Sequence, residues 1–128
     1  MSVLSAANPV SFILTADRPR AKPFYIGVLG LAPVSEDDFA LTLALGGGAT
    51  IRLTDLPGHV PGAHTVLGWT VPDIRTAVAE LRAKGITFTV YEGFGQDADG
   101  IWEVPGGGAK VAWFNDPDGN VLSLTEFA

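Results

Sequence analysis

A strand, an aspartate cap, a short amphipathic helix and a stopping glycine occur twice in this chain, at almost the same interval. Val10 to Thr15 is an apolar run of strand length that includes Val, Ile, Phe and Thr. Asp17 follows as a helix N-cap, with Pro19 tolerated in the first turn. Phe24, Tyr25, Val28 and Leu29 recur at helical spacing, and Gly30 supplies the stop. Pro23 removes one intrahelical hydrogen bond, so this helix is expected to be short or slightly bent. Val66 to Val71 then reads as a second such strand and Asp73 as a second cap. Ile74, Ala77, Val78 and Leu81 form one helical face, Arg82 and Lys84 complement the dipole in the last turn, and Gly85 ends it. The caps are 56 positions apart and the stopping glycines 55. A structural unit repeated at fixed offset is the mark of an internal duplication.

Each helix should be followed by strands. In the first half these are Leu31 to Ser35, Phe39 to Leu45 and Ala49 to Thr54, with Gly46-Gly47-Gly48 turning between the last two. In the second half they are Ile86 to Tyr91, Ile101 to Val104, Ala109 to Phe114 and Val121 to Glu126. Leu56 to Ala63 is rich in Pro and Gly and reads as a connection. The expected organisation is a β-α-β-β-β module over about 1–56, a linker over 57–63, and a second module over about 64–128. Such a module covers one sheet face with its helix and must find cover for the other.

Composition narrows function more than fold. The chain is 47% hydrophobic, enough for a real core. Its net charge is −6 with eight Lys and Arg, which disfavours nucleic acid, because phosphate binding needs a clustered basic surface. There is no Cys, so disulfides, thiolate metal sites and cysteine nucleophiles are impossible. That fits a cytoplasmic setting. Met1 to Val10 has no basic n-region, so no signal peptide is expected, and no apolar run reaches membrane-spanning length.

The last hairpin carries the most specific motif. Asp116-Pro117-Asp118-Gly119 is a strong turn, with Pro pre-setting φ and Gly taking the left-handed conformation. If Phe114 lies opposite Val121, one face holds Lys110, Ala112, Phe114, Val121, Ser123 and Thr125. The other then holds Val111, Trp113, Leu122 and Leu124. The wholly apolar second face should pack under a helix, and the mixed first face should line a cavity.

Asp17 to Leu31, with Phe24-Tyr25 and Val28-Leu29-Gly30-Leu31, resembles the first helix of the vicinal oxygen chelate superfamily, which holds glyoxalase I, the bleomycin-resistance proteins and the extradiol dioxygenases. The stretch Trp113 to Leu124 resembles that superfamily's terminal hairpin. The resemblance implies an α+β fold in which two β-α-β-β-β modules curl their sheets around a central ligand cavity, with helices outside. It also implies pairing as a homodimer. Metal-dependent relatives project His, Gln and Glu into that cavity from set strand positions, which fall here on Val10, Arg52, Val66 and Ser123. None is a usual ligand. The expectation is therefore a chain without metal or other cofactor, with glyoxalase I and dioxygenase chemistry disfavoured.

Phe12 and Leu14 share the face of Val10 and should line the cavity. Trp102 lies between two glycine-rich stretches and is a candidate for ligand stacking or for structural cover, with Tyr91 and Phe94 flanking the same loop. By alternation from Val66, Trp69 faces the core. Arg52 could hold a ligand carboxylate, helped by Lys110, or could be consumed by Glu103 or another acid. The expected ligand-binding set is thus Phe12, Leu14, Arg52, Trp102, Lys110, Phe114 and Ser123. Two function classes follow. One is a module that sequesters or senses a small, partly aromatic molecule, without nucleic acid or membrane partners. The other is a metal-independent isomerase or lyase using Glu103, Tyr91 or His64 as acid or base.

Overall fold

A computed structural model describes residues 2–128, and the chain divides into two compact units at the Val60–Pro61 junction. The first unit contains β1 (Val10–Thr15), α1 (Arg18–Pro23), β2 (Ala32–Glu36), β3 (Ala40–Ala44) and β4 (Thr50–Asp55). The second contains β5 (Thr65–Thr70), α2 (Ile74–Ala83), β6 (Trp102–Glu103), β7 (Ala109–Asn115) and β8 (Val121–Phe127). Each unit builds one four-stranded sheet, in the orders β1-β4-β3-β2 and β5-β8-β7-β6. The first and last strands of each module pair in parallel and the rest are antiparallel. The fold is α+β, as expected. Among the described residues no helix is long and apolar enough to cross a membrane.

The repeated caps work as their spacing implies. Asp17 accepts from the Arg20 amide and Asp73 from the Thr76 amide, each filling an orphan donor of a first helical turn. The two helices then diverge. α2 runs regularly to Ala83, whereas Pro23 ends α1 and the next turn, Phe24–Val28, winds as a π-helix closed by Leu29 N–H donating to the Phe24 carbonyl. The wider turn gives the helical bend expected at a proline a defined form.

Alternation then sorts the sheet faces. In module 1, Ile13, Leu41, Leu43, Ile51 and Leu53 are buried with Ala21 and Tyr25 of the helical segment. In module 2, Ala112, Phe114, Leu122 and Leu124 are buried with Ile74 and Val78 of α2. Glu126, on the same side of β8, accepts from the Ile74 amide and fixes this as the helix face.

The hairpin register differs from the sequence expectation by one residue. Asn115 pairs with Val121, Phe114 with Leu122 and Trp113 with Ser123. The cause is the turn. Asp116 accepts from the Asp118 and Asn120 amides, its own N–H donates to the Asn120 carbonyl, and Gly119 takes φ +91°. This five-residue loop draws Asn115 into the strand. A slip of one exchanges the faces of a strand. Phe114 therefore lies in the core and Trp113 on the helix-free side.

The expected strand Ile86 to Tyr91 is reduced to a single bridge, Phe88 to Phe114, with Thr89 N–H donating to the Trp113 carbonyl. β6 pairs further along the same edge of β7, at Val111 and Lys110. The second module's edge strand is thus split in two, and residues 90–101 form an excursion between the halves.

Candidate functional site

Two rows of side chains mark the helix-free face of each sheet. In module 1 the central row is Phe12, Arg52 and Thr42, and a second row is Leu14, Thr54 and Ala40. In module 2 the matching central row is Gly68, Ser123 and Trp113, and the second is Thr70, Thr125 and Val111, extended by Trp102. Arg52 and Ser123 occupy equivalent places, as do Phe12 and Gly68. Where module 1 carries a phenyl ring beside a guanidinium, module 2 carries a bare backbone beside a hydroxymethyl. A Cβ on Gly68 would come within 2.5 Å of Ser123 Oγ, so the two small residues are fitted to one another.

Beside that shallow row stands a cluster of rings. Trp113 packs edge-on against Tyr91 at 5.6 Å and Phe94 at 5.7 Å, and lies 6.1 Å from Trp102. Phe94 also meets Trp102 at 4.9 Å and Tyr91 at 5.9 Å. These separations suit offset and edge-to-face pairing. The cluster is not sealed: Tyr91 is 38% exposed and Phe94 45%. The helix-free positions of β5 to β8 named here hold no charged side chain.

The excursion of residues 90–101 brings Phe94 to the cluster, and its far end is firmly tied. Gln96 accepts from the Tyr91 amide at 2.6 Å and donates to the carbonyls of Thr89 and Gly100 at 2.9 and 2.7 Å. Asp97 accepts from the Asp99 and Ile101 amides and pairs with Arg75 of α2 at 2.8 Å. Partial burial opposes the Asp97 charge, but the Ile101 amide, Arg75 and the Asp99 amide outweigh it and hold the carboxyl below its ordinary range. Asp99 pairs with Arg82 at 2.6 Å.

The predicted site residues divide. Phe12, 64% exposed, and half-buried Leu14 lie on the helix-free face of module 1, as alternation required. Arg52 shares that face, donates to Thr42 Oγ1 at 3.2 Å and approaches Asp37 at 3.7 Å, so another acid than Glu103 meets it. Trp102 and Ser123 lie on the helix-free face of module 2. Phe114 does not. It is fully buried on the helix side, 5.4 Å from Phe88 and 6.5 Å from Trp69. Lys110 is also on the helix side, between Glu103 and Glu126 in the sheet register. Both corrections follow from the one-residue slip. Trp113, read from the sequence as core, stands on the helix-free side instead, together with Tyr91 and Phe94, which the sequence showed flanking the Trp102 loop.

Of the positions where metal-dependent relatives carry ligands, Val10 offers no donor, Val66 sits in a β-bulge, Arg52 is cationic and Ser123 offers a hydroxyl. Among the described residues no group of three or more His, Asp or Glu side chains is placed to hold a metal ion. The donor set does not fit a catalytic metal. The acid–base candidates are not assembled either: Glu103 lies on the helix side, Tyr91 in the ring cluster, and His64 beside Gly62 before β5.

The chain matches the family described as Glyoxalase/Bleomycin resistance protein/Dioxygenase superfamily over residues 7–124. No curated protein matches it. Among solved structures it is similar to a member of that superfamily from Sphaerobacter thermophilus, with 26% identity and a TM-score of 0.75, covering 97% of this chain and 99% of the other. It is also similar to TnmS3, an antibiotic binding protein from a Streptomyces species, with 22% identity and a TM-score of 0.70, covering 96% and 97%.

Proposed function

We propose that this chain, which belongs to the Glyoxalase/Bleomycin resistance protein/Dioxygenase superfamily, binds a flat, partly aromatic organic molecule on the helix-free face of its second module, without a metal and without converting it. The observation that carries this reading is the half-open ring cluster Tyr91, Phe94, Trp102 and Trp113, next to the small Gly68–Ser123 row. A fully buried core seals its rings, whereas here Tyr91 and Phe94 are exposed and Trp102 and Trp113 are half-buried. Stacking supplies contact area at low entropic cost, and the hydroxyls of Ser123, Thr125 and Thr70 can orient a ligand by hydrogen bonding. The antibiotic binding protein among the similar structures supports a small-molecule ligand.

The ligand should be neutral or cationic. Ring faces carry negative quadrupole density and attract cations. The chain carries a net charge of −6. Arg52, the candidate anion anchor, is in the other module and already meets Asp37. Phe12, Leu14 and Arg52 stand on the corresponding helix-free face of module 1.

The test is a tryptophan fluorescence titration with a matched set: acridone, a cationic aminoacridine and an acridine carboxylate. Saturable quenching by the first two is expected, weakened by up to about tenfold in Trp102→Phe and unchanged in Arg52→Ala. Binding confined to the carboxylate and lost in Arg52→Ala overturns the reading. So does steady chemical conversion of a bound probe.

A further inference from the structure

We infer that Phe94 is a gate over the Trp102–Trp113 surface, hinged on Gly93 and Gly95, that sets how fast a planar ligand enters and leaves. This rests on the binding reading above, since a gate needs a site behind it. Phe94 is the one ring of the cluster that stands between two glycines, and both have positive φ, +78° and +83°. A Cβ at either would find nothing within 4 Å. Space therefore does not require glycine there; backbone conformation does. The two glycines are thus kept for their backbone conformation and not for a close approach, which leaves room for the segment between them to move.

The rest of the excursion cannot swing with it. Gln96 bonds to both ends of the loop, and Asp97 bonds to two backbone amides and to Arg75. Before Gly93, Tyr91 packs on Trp113. Motion is thus confined to residues 92–95, where, among the described residues, the one bond holding the Phe94 backbone is a 3.2 Å turn contact from its own N–H to the Tyr91 carbonyl. In the structure the Phe94 ring covers Trp102 and Trp113 at 4.9 and 5.7 Å while remaining 45% exposed. A planar ligand that stacks on either indole from the side Phe94 occupies must move it, and once inside can be covered by it. Short glycine-flanked segments of this kind are where lids move.

Stopped-flow fluorescence with acridone and aminoacridine on the full chain tests the gate. Phe94→Ala should raise both association and dissociation rates, by about tenfold or more, whereas affinity changes less; Phe94→Leu should fall between. Gly93→Ala and Gly95→Ala should speed association, because an L side chain strains the covered arrangement, in which both positions hold positive φ. Gly107→Ala carries the same strain at φ +77° in the β6–β7 turn and should leave the rates alone. Without ligand, Phe94→Ala should raise acrylamide quenching of tryptophan. Unchanged rates and unchanged quenching in Phe94→Ala, with wild-type binding intact, overturn the gate and leave the binding reading standing. Absence of saturable binding to every acridine overturns both.

Discussion

The two modules share a topology and differ in what they place on it. Module 1 has a continuous edge strand, β2, a helix broken by Pro23, and a helix-free face of Phe, Arg and Thr. Module 2 has a regular helix, an edge strand split by the excursion of residues 90–101, and a helix-free face of Gly, Ser and Trp. The two modules therefore share a scaffold, and they differ mainly at one edge and along one row. The lesson is that a fold match speaks for the scaffold and the site must be read from its own residues.

The sharpest way to break this comparison is to test which aromatic residue of β7 belongs to the core. Phe114→Ala should destabilise the protein by about 3–5 kcal/mol in urea unfolding, as a fully buried ring packed on Phe88 and Trp69. Trp113→Ala should cost clearly less, because that ring is half-open. Equal losses would mean that the hairpin register is the other one and that the ring cluster is core.

A second test addresses the small row. Gly68→Ala puts a methyl 2.5 Å from Ser123 Oγ and should cost about 1–3 kcal/mol as overpacking. Ser123→Gly in the same chain should restore most of it. If the single variant is neutral, Gly68 and Ser123 are not fitted and the contrast with Phe12 and Arg52 loses its meaning.

A third test concerns how each module ties its helix down. In module 1 the Arg18 side chain, 12% exposed, bonds to Asp55, Glu36 and the Asp37 carbonyl at once. Arg18→Ala should cost about 1–2 kcal/mol, the value of charged hydrogen bonds reduced by the exposure of the carboxylates. Arg75 in module 2 is 57% exposed, and Arg75→Ala should change stability much less while loosening the excursion. The reverse order, seen in thermal unfolding, would put the structural clamp in the wrong module.

The smallest effect is on pH. Lys22 and Arg18 hold the Glu36 carboxyl below its ordinary 4.5, and the Phe39 and Ala40 amides hold Asp37 below 3.8. A depressed carboxyl stabilises the folded state above its unfolded value and loses that contribution as pH falls through its folded value. Stability should therefore decline on acidification from about pH 4.5 downward, and Glu36→Gln should flatten the decline. An unaltered acid limb would show that Glu36 contributes nothing to it.

Much of this was legible in the sequence. The capping aspartates and the strand Val10–Thr15 stand where spacing put them, because cap chemistry and β-branched runs act locally. The face of Phe12, Leu14 and Arg52 followed from alternation. The register of the last hairpin did not, since adjacent Trp113 and Phe114 give no alternating signal and the loop is set by the Asp116 side chain. The split edge was read as two strands, because pairing on one shared edge of β7 is a property of the sheet and not of either segment. Proline announced a bend in the first helix but not the π-turn that accommodates it.

The parallel pairing of first and last strands has a consequence for how the chain reaches this state. Among the described residues β1 has β4 as its only sheet neighbour, and β5 has only β8. Neither sheet can close until its final strand is made, so every module waits on its own C-terminal end. Chain synthesised only as far as Asn115 holds a β5 with both edges bare, a template for wrong pairing during translation. Because the contacts that seal each sheet span the whole module, refolding should be slow for so short a chain, roughly milliseconds to seconds. A nascent chain released before Phe127 would then carry a first module with its final strand in place beside an unfinished second one, whose bare strand edges invite aggregation.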